Sequence, residues 1–364
     1  MTRTNHQERD LCIAFSLIPF LQPIRLRRLY ERFESLSEIK GASASSLAAL
    51  LNLPEEKARL VRNPLQLPEL RRRVAELRGE SITLVDGSYP PALREIGDHP
   101  PALFFRGSFE QTLGPAIAVV GSRDASRYAI AVAEKLTADL VHAGITIVSG
   151  LARGVDAAAH RTAIATGGKT IAVLGAGLDS SYPLHNRSLR KEIERAGCVI
   201  SEFPPGMPPR AHHFPIRNRI IAGLSCGTLV VEASDRSGSL ITARLAAEQG
   251  REVFAVPGSI FLNGSVGPHR LVQYGAKLVH DVDDILEEIG VALSQVAQKP
   301  EVLMSEELRP LLAILSYDEP AHVDAVATRL GEHVTIVMER LLTLELEGVV
   351  KGLPGGHYIR APDH

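Results

Sequence analysis

Tryptophan is absent from the 364 residues, and aromatic side chains of all kinds make up only 5%. A surface that grips its ligand mainly by ring stacking is therefore excluded, and any stacking contact must be sparse. Cysteine is nearly absent as well. Cys12, Cys198 and Cys226 are odd in number and far apart, which excludes a disulfide framework and fits a reducing, cytoplasmic compartment. The histidines and acids show no ligand spacing, so neither a metal nor a cofactor is called for. No apolar run reaches the roughly 18 residues of a membrane span. The charged start MTRTNHQERD has no apolar signal segment. Two nucleotide signatures are missing too. There is no GxxxxGK[ST], and no GxGxxG followed by an acid at the end of the next strand, which argues against a Walker-type triphosphatase and a dinucleotide site.

Lysine is scarce, supplying 8 of 40 basic residues. Arginine dominates, and its planar fork suits fixed bidentate phosphate contacts better than loose attraction; a GC-rich genome would give the same bias. The net charge of −2 hides an uneven distribution. Residues 1–80 hold 14 bases and 10 acids, 81–300 hold 21 of each, and 301–364 hold 5 bases against 11 acids. A broad basic surface for duplex DNA is thus lacking. The acidic tail is the poorest place for phosphate, and any nucleic-acid site must be a local cluster.

What is present is an alternation. Apolar runs at 116–120, 145–149, 170–174, 198–202, 228–233 and 252–256 are separated by amphipathic stretches, the clearest at 126–143. Strands that are apolar throughout, with helices between, predict a Rossmann-like, doubly wound, mostly parallel α/β sheet over 79–290. Residues 1–78 predict a small helical domain of the sterile-alpha-motif or helix-hairpin-helix kind, with Ser43 or Ser45 capping the helix through Leu51 and Arg71–Arg73 on a solvated face. Residues 81–112 read as an edge strand, around 102–105, with connecting segments. Residues 291–304 read as a linker. Three helices and a hairpin turning at Pro354-Gly355-Gly356 predict a winged helix over 305–364, whose charge favours a protein contact over duplex binding.

Ligands of such sheets lie at the carboxyl ends of the strands, and there the sequence places Gly121-Ser122-Arg123-Asp124, Gly150 to Asp156 with Arg153 and Gly154, Gly175 to Asp179 followed by Tyr182-Pro183 and Asn186-Arg187, and Ser234 with Ser237-Gly238-Ser239. Each is a small-residue turn opening a helix, which offers backbone N–H groups and a positive dipole end to an anion. Gly121, Gly150 and Gly238 would let a phosphate approach. The stretch 214–225, FPIRNRIIAGLS, adds Phe214, Arg217, Asn218 and Arg219 beside an apolar run. Together these converge on a phosphate-bearing ligand. Asp156 and His160 read either as an acid–base pair or as a helix cap and a packing residue. Glu202 and Glu232 read either as general acids or as partners that hold Arg217 or Arg219.

The successive blocks GSRDASRYA, SGLARGVDAAAHRTAI, GGKTIAVLGAGLDSSYPLHNRSL, FPIRNRIIAGLS, VVEASDRSGSLITARLAAEQGREVFAVPGS and SVGPHRLVQYGA resemble the DNA-processing protein A family (DprA, also called Smf). The resemblance implies a non-enzymatic protein that binds single-stranded DNA, protects incoming strands, and loads the RecA recombinase onto them during natural transformation. It also implies a homodimer, with contacts expected around 240–289, and single-strand-binding protein as a further partner. Carried onto this chain, it implies that Gly121, Ser122 and Arg123 hold a phosphate and that Phe214 stacks on a base, flanked by Arg217, Asn218 and Arg219. The lysine common before the Phe-Pro is replaced here by Arg210 and Ala211, and Arg210 is expected to take its place. The competing expectation is a phosphoribohydrolase-like enzyme on a free nucleotide, with Glu232 as its acid. A third is an adaptor whose winged helix binds a partner.

Overall fold

The computed structural model describes residues 3–109, 114–290, 308–317 and 319–361. The N-terminal unit comprises α1 (Arg3–Ser16), α2 (Pro23–Arg32), α3 (Ala44–Leu51), α4 (Glu55–Arg62) and α5 (Pro68–Leu77). Pro23 and Pro68 open their helices at a position whose N–H has no intrahelical partner. Of the two candidate serines, Ser43 is the cap; its Oγ accepts from Ser46 N at 3.1 Å. Leu26, Leu29, Leu47, Leu51, Ala58 and Val61 form the unit's own core. Residues 11–15 of α1 are apolar on all sides and buried, as a helix between two layers must be. Cys12 and Phe15 face that core, while Ile13 and Ala14 join Val74 and Leu77 against Leu189, Ile193 and Val199 of the following unit. Arg73 does more than cover a solvated face, because it donates to Pro205 O at 2.9 Å.

The main sheet contains β1 (Ser81–Thr83), β2 (Ala102–Gly107), β3 (Ala116–Val120), β4 (Thr146–Ser149), β5 (Thr170–Val173), β6 (Cys198–Ser201), β7 (Gly227–Val230), β8 (Glu252–Ala255) and β9 (Lys277–Leu278). Their order is β1-β2-β6-β5-β4-β3-β7-β8-β9, with β3 to β9 parallel and β1 and β2 antiparallel. All six expected apolar runs form strands. The 102–105 run is not at the edge, because β1 pairs along its outer side with Ser81 opposite Phe104.

Between the strands run α6 (Pro91–Arg94), α7 (Arg127–His142), α8 (Val155–Ala165), α9 (Arg187–Ala196), α10 (His213–Gly223), α11 (Gly238–Glu248), α12 (Val266–Gln273) and α13 (Asp283–Glu288). Strand alternation divides the core in two. Ala116, Ala118 and Val120 of β3 face Ile220 and Ile221 of α10 on one side. Ile117 and Val119 face Ala129, Ala133, Leu136 and Leu140 of α7 on the other. That four-residue stripe at helical spacing explains why 127–142 is a helix. Ser126 starts it by accepting from Ala129 N at 3.1 Å, and Gly144, with φ +78°, turns the chain away.

From central β3 the chain builds outward through β4, β5 and β6, then returns to place β7 and β8 on the other flank of β3. This reversal opens a crevice between the loops after β3 and β7, at the strands' carboxyl ends.

The C-terminal unit contains α14 (Arg309–Ile314), β10 (Ala321–His322), α15 (Val323–Leu330), α16 (Val334–Leu346), β11 (Val350–Leu353) and β12 (His357–Arg360). The sheet order β10-β12-β11 is that of a winged helix. Gly355 and Gly356 have φ of +83° and +73°, which only glycine adopts without strain at the tip of the hairpin. The expected linker, 291–304, lies outside the described residues. Among the described residues no helix is long and apolar enough to cross a membrane.

Candidate nucleic-acid interface

A cleft of about 550 Å³ occupies the crevice. One wall is the loop after β3, residues 121–124. The second is one face of α10. The third is the start of α11 with the loop before it. Phe214, Arg217, Asn218 and Ile221 all line the cleft. Their spacing, i, i+3, i+4 and i+7, is that of a single helix face. Arg219, two residues from Arg217, lies roughly 200° around the helix and points elsewhere.

The two arginines consequently have different environments. Arg219 is 3% exposed and is gripped by Glu202 at 2.7 and 2.8 Å, with Asp98 at 3.1 Å from its Nε. Burial pulls its pKa down, but Glu202 and Asp98 outweigh burial and the net shift is upward. The expectation that Arg219 flanks the ligand is corrected: it is a structural ion pair, and Glu202 is its partner. Arg217 is also buried, but at the cleft floor. It donates to Gly150 O at 3.0 Å and to Val173 O, so it ties together the ends of β4 and β5. Burial lowers its pKa to about 10, opposed by Asp156 and aided by Arg123.

Gly150 was expected to admit a phosphate. Instead it admits Arg217: a Cβ there would stand 2.6 Å from the guanidinium. Gly154 is also a packing glycine. Its φ is +74°, and a Cβ would meet Ser122 O at 2.2 Å, so the loop after β3 rests on the start of α8. Gly121 borders the cleft but is pressed by Val155, 2.6 Å from its hypothetical Cβ. Gly238 has open space around it, at the N-terminus of α11. There Ser237 caps by accepting from Ser239 N, the two hydroxyls lie 2.7 Å apart, and Asn218 donates to Gly238 O at 3.3 Å. Ser237, Gly238 and Ser239 therefore stand where an anion meets a helix dipole.

Arg123 is the exposed cation of the cleft. Its guanidinium lies 5.8 Å from the centre of the Phe214 ring, within cation–π range. Among the described residues it makes no ion pair. Phe214 is half-buried, with Tyr182 at 5.3 Å and Gly175 beneath its ring. Ser122 also borders the cleft. Three other expected residues do not. Arg153 lies outside, paired with Asp124 at 3.1 Å. Asn186 is buried and donates to Leu151 O and Ala152 O, both at 3.0 Å. Arg210 is exposed in a neighbouring groove with His212 and Pro23. The lining also includes Ala211, Ile241 and Thr242. Ala211 stands with Arg210 where the resemblance expects a lysine, but no sequence signal marked Ile241 and Thr242, which only the packing of α11 beside α10 turns inward.

The candidate acids serve positions in the fold. Asp156 accepts from Gly150 N at 3.1 Å and Ala152 N at 3.2 Å. Burial raises its pKa, opposed by Arg217 and those two N–H groups. His160 is fully buried and meets Thr170 Oγ1 at 2.7 Å rather than Asp156. Burial and nearby arginines push its pKa down to about 3, so it stays neutral. Of the two readings of this pair, positioning and packing is the one observed. Glu232 accepts from Ser126 Oγ and from Ser126 N at 3.3 Å. It fixes the start of α7 and is not among the cleft-lining residues.

With this geometry in place, comparison with known proteins is decisive. Residues 80–290 match the family described as DNA recombination-mediator protein A. The chain belongs to that family. To the core of DNA recombination-mediator protein A it adds a segment, 295–356, that matches the DprA winged helix domain. Protein Smf of Escherichia coli is 45% identical over 280 residues, covering 75% of each chain. DNA processing protein DprA of Streptococcus pneumoniae is 50% identical over 57% of this chain and 73% of its own. The X-ray structure of the S. pneumoniae protein superposes with a TM-score of 0.65 at 38% identity, over 79% of this chain and 99% of that one. A DNA processing protein A from Helicobacter pylori, solved for its single-stranded DNA binding mode, gives 0.52 at 29% identity over 58% and 95%.

Proposed function

We propose that this chain binds single-stranded DNA in the cleft at the β3–β7 reversal, without chemistry on the strand. The observation that carries the reading is Arg123: exposed, without an ion-pair partner among the described residues, and set over the Phe214 ring opposite the open N-terminus of α11. A cation, a ring face and a helix dipole recognise a phosphate and the adjoining base of any sequence. Duplex DNA buries its base faces and would leave Phe214 without a partner. The relative from H. pylori, whose structure concerns single-stranded DNA binding, supports the same assignment. Commitment of Glu232 to Ser126, and of Asp156 to two backbone N–H groups, supports binding over hydrolysis.

Membership of a recombination-mediator family supports the next step, in which the bound strand is protected and handed to the RecA recombinase during natural transformation. A homodimer is supported by Ile260, Phe261, Leu262, Tyr274 and Leu278, which are all exposed within 260–278; a monomer has little reason to present so apolar a segment. The acidic winged helix, with Met338, Leu342 and Leu346 exposed on α16, fits a protein contact better than a phosphate backbone. The test is a titration of short single-stranded and duplex oligonucleotides at several salt concentrations. Single strands bind more tightly, with affinity falling steeply as salt rises. Equal affinity for duplex, or no salt dependence, would sink the proposal.

A further inference from the structure

α9 carries four cations, and the structure separates them. Arg190 turns inward: it is 8% exposed, donates to Ser180 O and Leu178 O, and pairs with Glu194 at 2.9 Å. Arg187, Lys191 and Arg195 are exposed, and among the described residues none of their side chains makes a hydrogen bond or an ion pair. Their spacing, i, i+4 and i+8, keeps them on one face, each step advancing roughly 6 Å along the axis. Leu189, Arg190 and Ile193 are buried, so the three cations occupy the middle of the outward face. Two acids lie near. Glu194 is held by Arg190, and Glu192, exposed, stands at the rim of the stripe.

The stripe begins at the cleft. Asn186, the residue before Arg187, donates to Leu151 O and Ala152 O, and Ala152 lines the cleft. Tyr182, four residues earlier, packs against Phe214. Arg153 stands on the same loop as Ala152, with its side chain 55% exposed. From this junction α9 runs back toward the amino end of β6, away from the crevice.

We infer that the outward face of α9 is a second binding site for the same polyanion. A single strand held at Arg123 and Phe214 leaves the cleft past Arg153 and lays its phosphates along Arg187, Lys191 and Arg195. This rests on the cleft reading above and extends it by a site that recognises backbone charge alone. Unpaired cations in a row are what phosphate neutralisation requires, while a helix face built only for solubility would pair them with acids at i+4. The cleft sets where the strand is gripped, and the stripe sets how much length the protein covers.

Two oligothymidylates separate the sites, one of about 6 nucleotides that fills only the cleft and one of about 25 that reaches the stripe. The triple variant Arg187→Gln, Lys191→Gln, Arg195→Gln alters exposed side chains and keeps the unaltered melting temperature. It should bind the short strand within about two-fold of the unaltered chain, and the long strand about ten-fold more weakly, with the salt slope for the long strand lower by about 2. An unchanged slope and affinity for the long strand overturns the stripe while leaving the cleft standing. Equal losses on both lengths also overturn it, because the cations would then act through a general field and not as a track. If the unaltered chain binds neither strand, the cleft and the stripe fall together.

Discussion

Arg219 gives the sharpest division between a residue that makes the fold and one that serves the ligand. It is 3% exposed, doubly bonded to Glu202, and 3.1 Å from Asp98. In Arg219→Ala the loss is not confined to those bonds. Glu202, whose side chain is 11% exposed, keeps its charge and has no cation to offset it. Breaking a buried pair from one side costs about 3–5 kcal/mol. For a unit of roughly this size each kcal/mol moves the melting temperature by about 2–4 °C, so the variant should melt roughly 6–20 °C lower. Adding Glu202→Gln removes the stranded charge and should restore part of the loss, a non-additivity that two independent contacts would not show. Differential scanning calorimetry reads the melting temperatures. The DNA salt slope of the folded variant is predicted to stay at the unaltered value. A melting temperature within about 1 °C of the unaltered chain, together with a lower salt slope, would refute the structural role and return Arg219 to the binding surface.

Phe214→Ala should lower single-strand affinity by about 1–3 kcal/mol while leaving the salt slope unchanged, since a stacking contact is lost and no phosphate contact is; fluorescence anisotropy at several salt concentrations checks both. Gly150→Ala should destabilise by about 1–3 kcal/mol, because the added methyl meets a guanidinium held by Gly150 O and Val173 O that cannot withdraw; urea denaturation measures it. His160, neutral in the fold down to about pH 3, should make the protein acid-sensitive. The unfolded chain takes up a proton near pH 6.5 and the folded chain does not, so stability present above pH 6.5 falls as pH drops toward 3, by about 5 kcal/mol in all. His160→Gln should flatten that part of the melting-temperature profile, and parallel profiles for the two proteins would contradict the assignment.

The sheet and the cleft were legible to different degrees. Wholly apolar runs named six strands, and small residues after them named the edge where ligands meet the fold. The order of those strands was not legible, because pairing of β3 with β7 depends on contacts more than 100 residues apart. The cleft's walls at Ser122, Arg123, Asn218 and Ser237–Ser239 came from local pattern, whereas the stacking role of Phe214 came from the family resemblance. Arg217 and Arg219 read alike as residue types, although helical period alone already turns them to opposite faces, and that signal was available. Gly150 and Gly154 read as phosphate glycines because sequence shows freedom of backbone without showing what fills the space. The tie between Glu232 and Ser126 spans 106 positions and had no local trace. The N-terminal helices read as a separate unit, yet α1 and α5 complete one side of the main sheet, a consequence of the all-round apolarity of residues 11–15.

The most direct test of the cleft is Arg123→Ala, assayed with a labelled short single strand across a series of salt concentrations. Arg123 is exposed, so folding should be unaffected and any change belongs to binding. The predicted result is an affinity lower for every sequence and a salt slope smaller by about 0.7, the share of one phosphate on a single strand. Unchanged affinity and slope, in a variant that melts with the unaltered chain, would contradict the account.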